Sequence, residues 1–215
     1  MMDYIYISLI GIVFLLGLFM VKKQSLFSYK LMLVFLLYTF LNESWCWYLK
    51  NYAYGNTYAL YNIYYYIRFP IIGWMYWYVL STLGARIVIK IFWILSVFAL
   101  IVNTFLLYGF HLLHSNYLVA GGVFCILLAL MHFYVILTSI KKYNPLQTPF
   151  FWISTALFFY FLGILPFFGI INLLLKEDLI FVDTYSIIIK TLSILLYTLI
   201  GIDFYVQWKN LKSKL

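Results

Sequence analysis

Apolar and polar positions divide the chain into seven long apolar stretches separated by short polar or turn-rich pieces. Crossing about 30 Å of hydrocarbon takes roughly 20 mostly apolar residues. The stretches that qualify run near residues 4 to 21, 29 to 49, 58 to 80, 86 to 108, 117 to 140, 149 to 175 and 180 to 206. The connecting pieces are KKQS from Lys22, KNYAYGN from Lys50, STLGA from Ser81, HLLHSN from His111, KKYNP from Lys141 and KED from Lys176. A lipid-facing barrel needs segments of about ten residues with period-two alternation, which these unbroken runs lack. Helices satisfy their own backbone groups in lipid, so the pattern predicts an all-α polytopic membrane protein of seven transmembrane helices.

Composition agrees with that reading. Of 215 residues, 67% are apolar and 9% charged, against about 25% charged in ordinary globular chains. The polar surface of a water-soluble fold is missing. The first stretch carries Asp3 and no leading Lys or Arg, its basic pair follows the apolar run, and no small-residue cleavage pattern ends it; it is expected to stay in the mature protein. The connections leave no room for a soluble domain, so residues 1–215 are read as one membrane domain.

The net charge of +8 is a matter of topology here rather than of nucleic acid, which is not expected as a partner. With seven spans, Lys22, Lys23, Lys30, Arg86, Lys90, Lys141, Lys142, Lys209, Lys212 and Lys214 fall on one side, and Lys50 and Lys176 on the other. The positive-inside rule then predicts the amino terminus outside and the carboxyl terminus in the cytoplasm. Tyrosines crowd the outer ends of spans two and three as a headgroup belt. Cys46 and Cys125 fall in apolar runs and read as small buried hydrophobes.

Ionisable groups inside a bilayer cost roughly 2.5 to 3.5 kcal/mol each on insertion scales, which singles out Glu43, Arg68 and Lys190. All three lie about 10 to 15 Å below the outer ends of their spans. On span seven, Asp183, Ser186, Lys190, Ser193, Tyr197 and Gly201 recur at spacings of three and four, one helical face. Span three carries a parallel stripe of Tyr58, Tyr61, Tyr65 and Arg68, followed by Pro70, which withholds a donor from the Tyr66 carbonyl and predicts a kink. Pro166 does the same to Leu162 in span six.

Two arrangements fit these residues. In one, Glu43 and Arg68 form a buried ion pair that locks spans two and three, and Lys190 is satisfied by tyrosine hydroxyls or Asp183. In the other, Glu43, Tyr61, Tyr65, Arg68, Ser186, Lys190 and Tyr197 line an outward-facing, net basic pocket, walled also by Trp45 or Trp47, for a small anionic or aromatic ligand. The second implies a ligand-sensing, binding or accessory membrane module, with transport, photoreception and scaffolding of another membrane protein as alternatives. For a transport path, polar stripes continuing to the cytoplasmic face are needed, and Asp203 and Thr198 in span seven and His132, Thr138 and Ser139 in span five are the hints of one.

Other chemistry finds little support. His111 and His114 sit in an outer connection, read as solvated, with His132 about 22 Å away along span five, so no metal site is expected. No phosphate loop and no Ser, His and Asp set at one depth point to an enzyme, and no cofactor is implied. The lysine of span seven resembles the Schiff-base lysine of microbial rhodopsins in helix count and placement. That family's acidic residue four before the lysine is here Ser186, and Arg68 is followed by Phe69, Pro70 and Ile71 rather than a carboxylate. The two-repeat plan of SWEET-type sugar carriers fails because Pro70 and Pro166 have no counterparts in the matching spans.

A closer resemblance lies between Leu37 and Tyr78. The run from Tyr38 to Glu43, followed by NTYALYNIYYYIRF from Asn56, resembles short seven-helix proteins of unknown function encoded in Bacteroidota, and FWISTALFFYFLGI from Phe151 is similar to their sixth helix. Arg68 departs from that pattern, since an acidic residue is expected there. The resemblance implies a bacterial inner membrane and no particular activity.

Overall fold

The computed structural model describes residues 2–21, 26–53, 57–80, 82–107, 109, 112–139, 144–177 and 179–212, and over 170–185 only the helical backbone. Seven long helices account for it: α1 (Met2–Met20), α2 (Phe27–Tyr48), α3 (Tyr58–Val79), α4 (Leu83–Val102), α5 (Ser115–Thr138), α6 (Phe151–Glu177) and α7 (Leu179–Lys212). No strand occurs among the described residues. The expected all-α bundle is therefore present, with boundaries that shift where polar residues join helix ends. Lys176 and Glu177 close α6 instead of forming a loop, α7 runs six residues past Val206, and α2 and α4 each end in a π-helical turn, Leu49–Ala53 and Asn103–Leu107.

Among the described residues, five helical segments are long and apolar enough to cross a membrane: Met2–Met20, Leu83–Leu107, Ser115–Thr138, Phe151–Gly169 and Ser186–Lys212. Helices α2 and α3 have 22 residues each, about 33 Å, so length is not what sets them apart. Their polarity is. Lys30, Asn42 and Glu43 lie in α2, and Asn62, Arg68 and a run of tyrosines in α3. The outer surface is a coat of exposed apolar side chains, among them Leu15, Ile94, Phe98, Phe105 and Leu137. Such a coat requires lipid as solvent, and the chain is a membrane protein.

Helix α1 packs on α2 and α7, α2 on α3, α3 on α4 and α5, α5 on α6, and α6 on α7. Six helices thus close a ring, and α4 flanks it beside α3 and α5. Helices consecutive in the chain run antiparallel: Tyr4 at the start of α1 meets Trp47 at the end of α2, ring centres 5.2 Å apart. Tyr29 at the start of α2 reaches Asp203 late in α7, whereas α1 with α7 and α3 with α5 are parallel. The bundle has a first end, where α1, α3, α5 and α7 begin, and a second end, where α2, α4 and α6 begin. Lys30, Arg86, Lys90, Lys209 and Lys212 fall toward the second end by their places in the helices.

Close contact at the centre is set by small residues. A Cβ on Gly121 of α5 would stand 2.2 Å from the Phe69 ring, so only glycine lets α3 seat that ring, which also meets Phe161 of α6 at 5.7 Å between centres. At the second end, Asp203 fixes the start of α6. Its carboxylate accepts from the Tyr29 hydroxyl at 2.5 Å, from the Ile153 N–H at 3.1 Å and from the Phe150 N–H at 3.4 Å. The first amides of a helix have no partner within it, and an anion there also meets the positive end of the helix dipole. Phe150, at φ 66°, turns the chain into that helix.

Candidate functional site

The half of the bundle toward the first end gathers four ionic side chains from four helices, with Arg68 the deepest, midway along α3. Lys190 of α7 pairs with Asp3 of α1, Nζ to Oδ1 at 2.7 Å, with side chains 21% and 37% exposed. Asp3 had no part in the expected site: it stands at the third position of the chain, remote in sequence from every other member. The parallel packing of α1 on α7, both of which start at the first end, brings it to the level of Lys190. Ser186, one turn before Lys190 on the same face, is half-buried. Asp183 lies outside the described side chains.

Glu43 of α2 accepts from the Tyr6 hydroxyl of α1 and, at 3.3 Å, from the Tyr61 hydroxyl of α3. Asp3 and Arg68 are both near enough to act on it electrostatically. The expected ion pair between Glu43 and Arg68 is not formed; among the described residues the ion pair is Lys190 with Asp3. Two phenols take the place of the guanidinium as donors to Glu43.

Arg68 of α3 is 3% exposed. Four rings present their faces to its guanidinium carbon: Tyr160 at 5.1 Å, Phe161 at 5.3 Å, Tyr64 at 5.6 Å and Phe35 at 5.8 Å. Cations are attracted to such faces, the more so when desolvated. Its Nε and Nη2 nevertheless have no hydrogen-bond partner among the described residues. Tyr64 is held by Thr39 at 3.1 Å, and Tyr197 of α7 lies within electrostatic reach of Tyr64, Arg68, Tyr160 and Glu43. Tyr65 packs its ring between Tyr61 and Phe69, at 6.3 and 6.0 Å.

The predicted residues therefore do come to one end of the bundle, linked through Asp3 and tyrosines rather than in direct pairs. Asp3 offsets Lys190, so the expected net basic character is corrected to two cations beside two carboxylates. Trp45 is 55% exposed and faces away, while Trp47 packs against Tyr4. Tyr6, Thr39, Tyr64 and Tyr160 escaped the reading. Tyr64 and Tyr160 share helical faces with the Phe and Leu that surround them, and nothing in a single helix marks a phenol that points at a cation on another.

Elsewhere the polar residues are structural. His114 is buried, correcting its reading as solvated: its backbone N–H donates to Asn62 Oδ1 at 3.0 Å, Nε2 bonds the Gly109 carbonyl at 2.8 Å, and Nδ1 meets the Tyr66 hydroxyl at 3.2 Å. His111 lies outside the described residues. His132 and Ser154 meet at 2.7 Å, and Ser154 meets Tyr76 at 2.7 Å, so the pair is completed by a phenol and not a carboxylate. Cys46 and Cys125 are both buried and free. No metal-binding group of His, Cys, Asp and Glu occurs among the described residues. A groove of 210 Å³ lies apart from the ionic cluster, between α3 and α4, lined by Tyr66, Pro70, Trp93, Ser96, Val97 and Leu100.

Comparison with protein-family models, with curated proteins and with solved structures finds no match.

Proposed function

We propose that the chain is a ligand-binding membrane module, of a sensing or accessory kind, whose site is the cluster of Asp3, Glu43, Arg68 and Lys190 with Tyr6, Tyr61, Tyr65 and Tyr197 at the first end of the bundle. The observation that carries this reading is Arg68: a guanidinium buried to 3% exposure with two nitrogens lacking an acceptor among the described residues. Buried donors are almost always satisfied, so an unsatisfied one marks a place built for something other than packing. The first end is taken as the outer face, the orientation the distribution of basic residues favours, and the membrane as a bacterial inner membrane, which rests on the Leu37 to Tyr78 resemblance.

The test is thermal unfolding of the protein in nanodiscs against a panel of small metabolites, followed by a dye that reacts with Cys46 and Cys125 as they become exposed. A member of the panel is expected to raise the midpoint of the wild type and to lose that effect in Lys190→Met and Tyr61→Phe. If no compound acts, and Lys190→Met and Arg68→Met leave stability and phenotype unchanged, the scaffold reading replaces this one.

Transport is the second reading, favoured by one observation. Tyr29 with Asp203, and Tyr76 with Ser154 and His132, form a second buried polar layer near the second end. Thr138, Ser139 and Thr198 do not extend it, since each bonds a backbone carbonyl of its own helix. Flux of the identified ligand into proteoliposomes decides between the two. The retinal reading gains a carboxylate beside Lys190 in Asp3, yet that lysine is already engaged with it; the purified protein is expected to be colourless.

A further inference from the structure

The two unpartnered nitrogens of Arg68 are not an arbitrary pair. Nε–H and the adjacent Nη2–H lie along one edge of the guanidinium and point the same way, the edge that takes both oxygens of a carboxylate in two parallel hydrogen bonds. Aromatic faces from Phe35, Tyr64, Tyr160 and Phe161 surround the rest of the group. A planar carboxylate matches the spacing of both, one oxygen to each N–H.

We infer that Arg68 is the recognition point for a carboxylate carried on an apolar or aromatic body, bound side-on through Nε and Nη2. The inference rests on the ligand-binding reading above and names its ligand class. An incoming carboxylate adds a negative charge beside Glu43, which already faces Asp3 and Arg68 and accepts from Tyr6 and Tyr61. Neutralising Glu43 therefore strengthens binding. Because the fork is closed over by side chains, the ligand enters by parting helices, and its uptake is slow compared with docking on an open surface.

The experiment is equilibrium binding to the full chain in nanodiscs with three probes: benzoate from the aqueous phase, palmitate from the bilayer, and benzamide as the uncharged mimic of benzoate. Benzoate or palmitate is expected to bind, benzamide not, and whichever acid binds identifies the source as soluble or lipid-borne. Arg68→Lys keeps the charge and loses the fork, and is expected to weaken binding about tenfold or more, the loss of one charge-assisted hydrogen bond. Glu43→Gln is expected to tighten it. The inference is overturned if benzamide binds as well as benzoate, if Arg68→Lys binds like the wild type, or if the acids bind only after Glu43→Gln, which makes Glu43 the natural occupant of the fork. A neutral ring compound that binds where both acids fail removes the fork and spares the ligand-binding reading; failure of acids and neutral compounds alike with folded protein removes both.

Discussion

Asp203 illustrates how much a single side chain settles in lipid. It is 2% exposed, and its acceptors serve one phenol and two amides of the opening turn of α6. Asp203→Asn keeps the shape but exchanges one acceptor for an NH₂ group that faces those amides. Hydrogen bonds to charged groups are worth about 1.5 to 3 kcal/mol, so the substitution is expected to destabilise by about 2 kcal/mol or more. The midpoint of dye labelling at Cys46 and Cys125 reads the change; an unaltered midpoint shows that the carboxylate is not what anchors α6. Arg68 is the opposite case. Its ring faces offset part of the desolvation of the cation, and its two orphan N–H groups remain uncompensated among the described residues.

At the scale of elements, α1 is tied to its neighbours by Lys190 with Asp3 and by Tyr6 with Glu43. The ion pair is partly exposed, so solvent and headgroups screen it, and a coupling of no more than about 1 kcal/mol is expected. A double-mutant cycle of Asp3→Asn and Lys190→Met measures it: strictly additive effects mean that the pair does not hold α1 in place. The connection between α4 and α5 is fastened differently. Asn62 of α3 donates to the Leu112 carbonyl at 2.9 Å, and His114 joins Gly109 to Tyr66. With Nε2–H donated to Gly109, Nδ1 accepts from Tyr66, the neutral tautomer. Burial depresses the basicity of His114 below its ordinary value near 6.5, a backbone carbonyl opposing only in part. The unfolded connection then takes up its proton at a higher pH than the folded one. Stability is full above pH 6.5, declines as the pH falls below it, and levels off once the folded histidine is also charged. Protection of the amides of 112–118 against hydrogen exchange, after correction for the intrinsic pH dependence of exchange, is expected to fall between pH 7 and 5, and His114→Gln to remove that dependence. An equal pH response in the variant assigns it to another group.

For the whole molecule, the charge asymmetry makes a prediction about sidedness. Arg86 and Lys90 lie over Trp77, and Lys212 over Trp208, so cations at the second end sit among interfacial aromatics. A cysteine placed at Tyr52, which is 63% exposed, is expected to react with a membrane-impermeant maleimide on intact cells, and one at Lys212 only after lysis. The reverse pattern inverts the bundle and turns the cluster around Arg68 toward the cytoplasm.

Hydropathy and helical period were enough to define the membrane class, the seven helices and the face of α7 that carries Lys190 and Tyr197, because lipid forces every backbone group to be satisfied within its own segment. The same arithmetic found the costly ionic groups, since a charge in hydrocarbon stands out in any one helix. It left their pairing open, and the one ion pair it offered, Glu43 with Arg68, is not formed. Which carboxylate meets Lys190, which phenols reach Glu43 and which rings enclose Arg68 depend on how α1, α6 and α7 rotate and slide against α2 and α3. Those offsets are set by contacts such as Gly121 against Phe69 and Gly163 against Leu192, where the absence of a side chain on one helix admits a side chain from another. Apolar packing of this kind has no periodicity to read along the chain, so Asp3 became part of the site only when the helices were assembled.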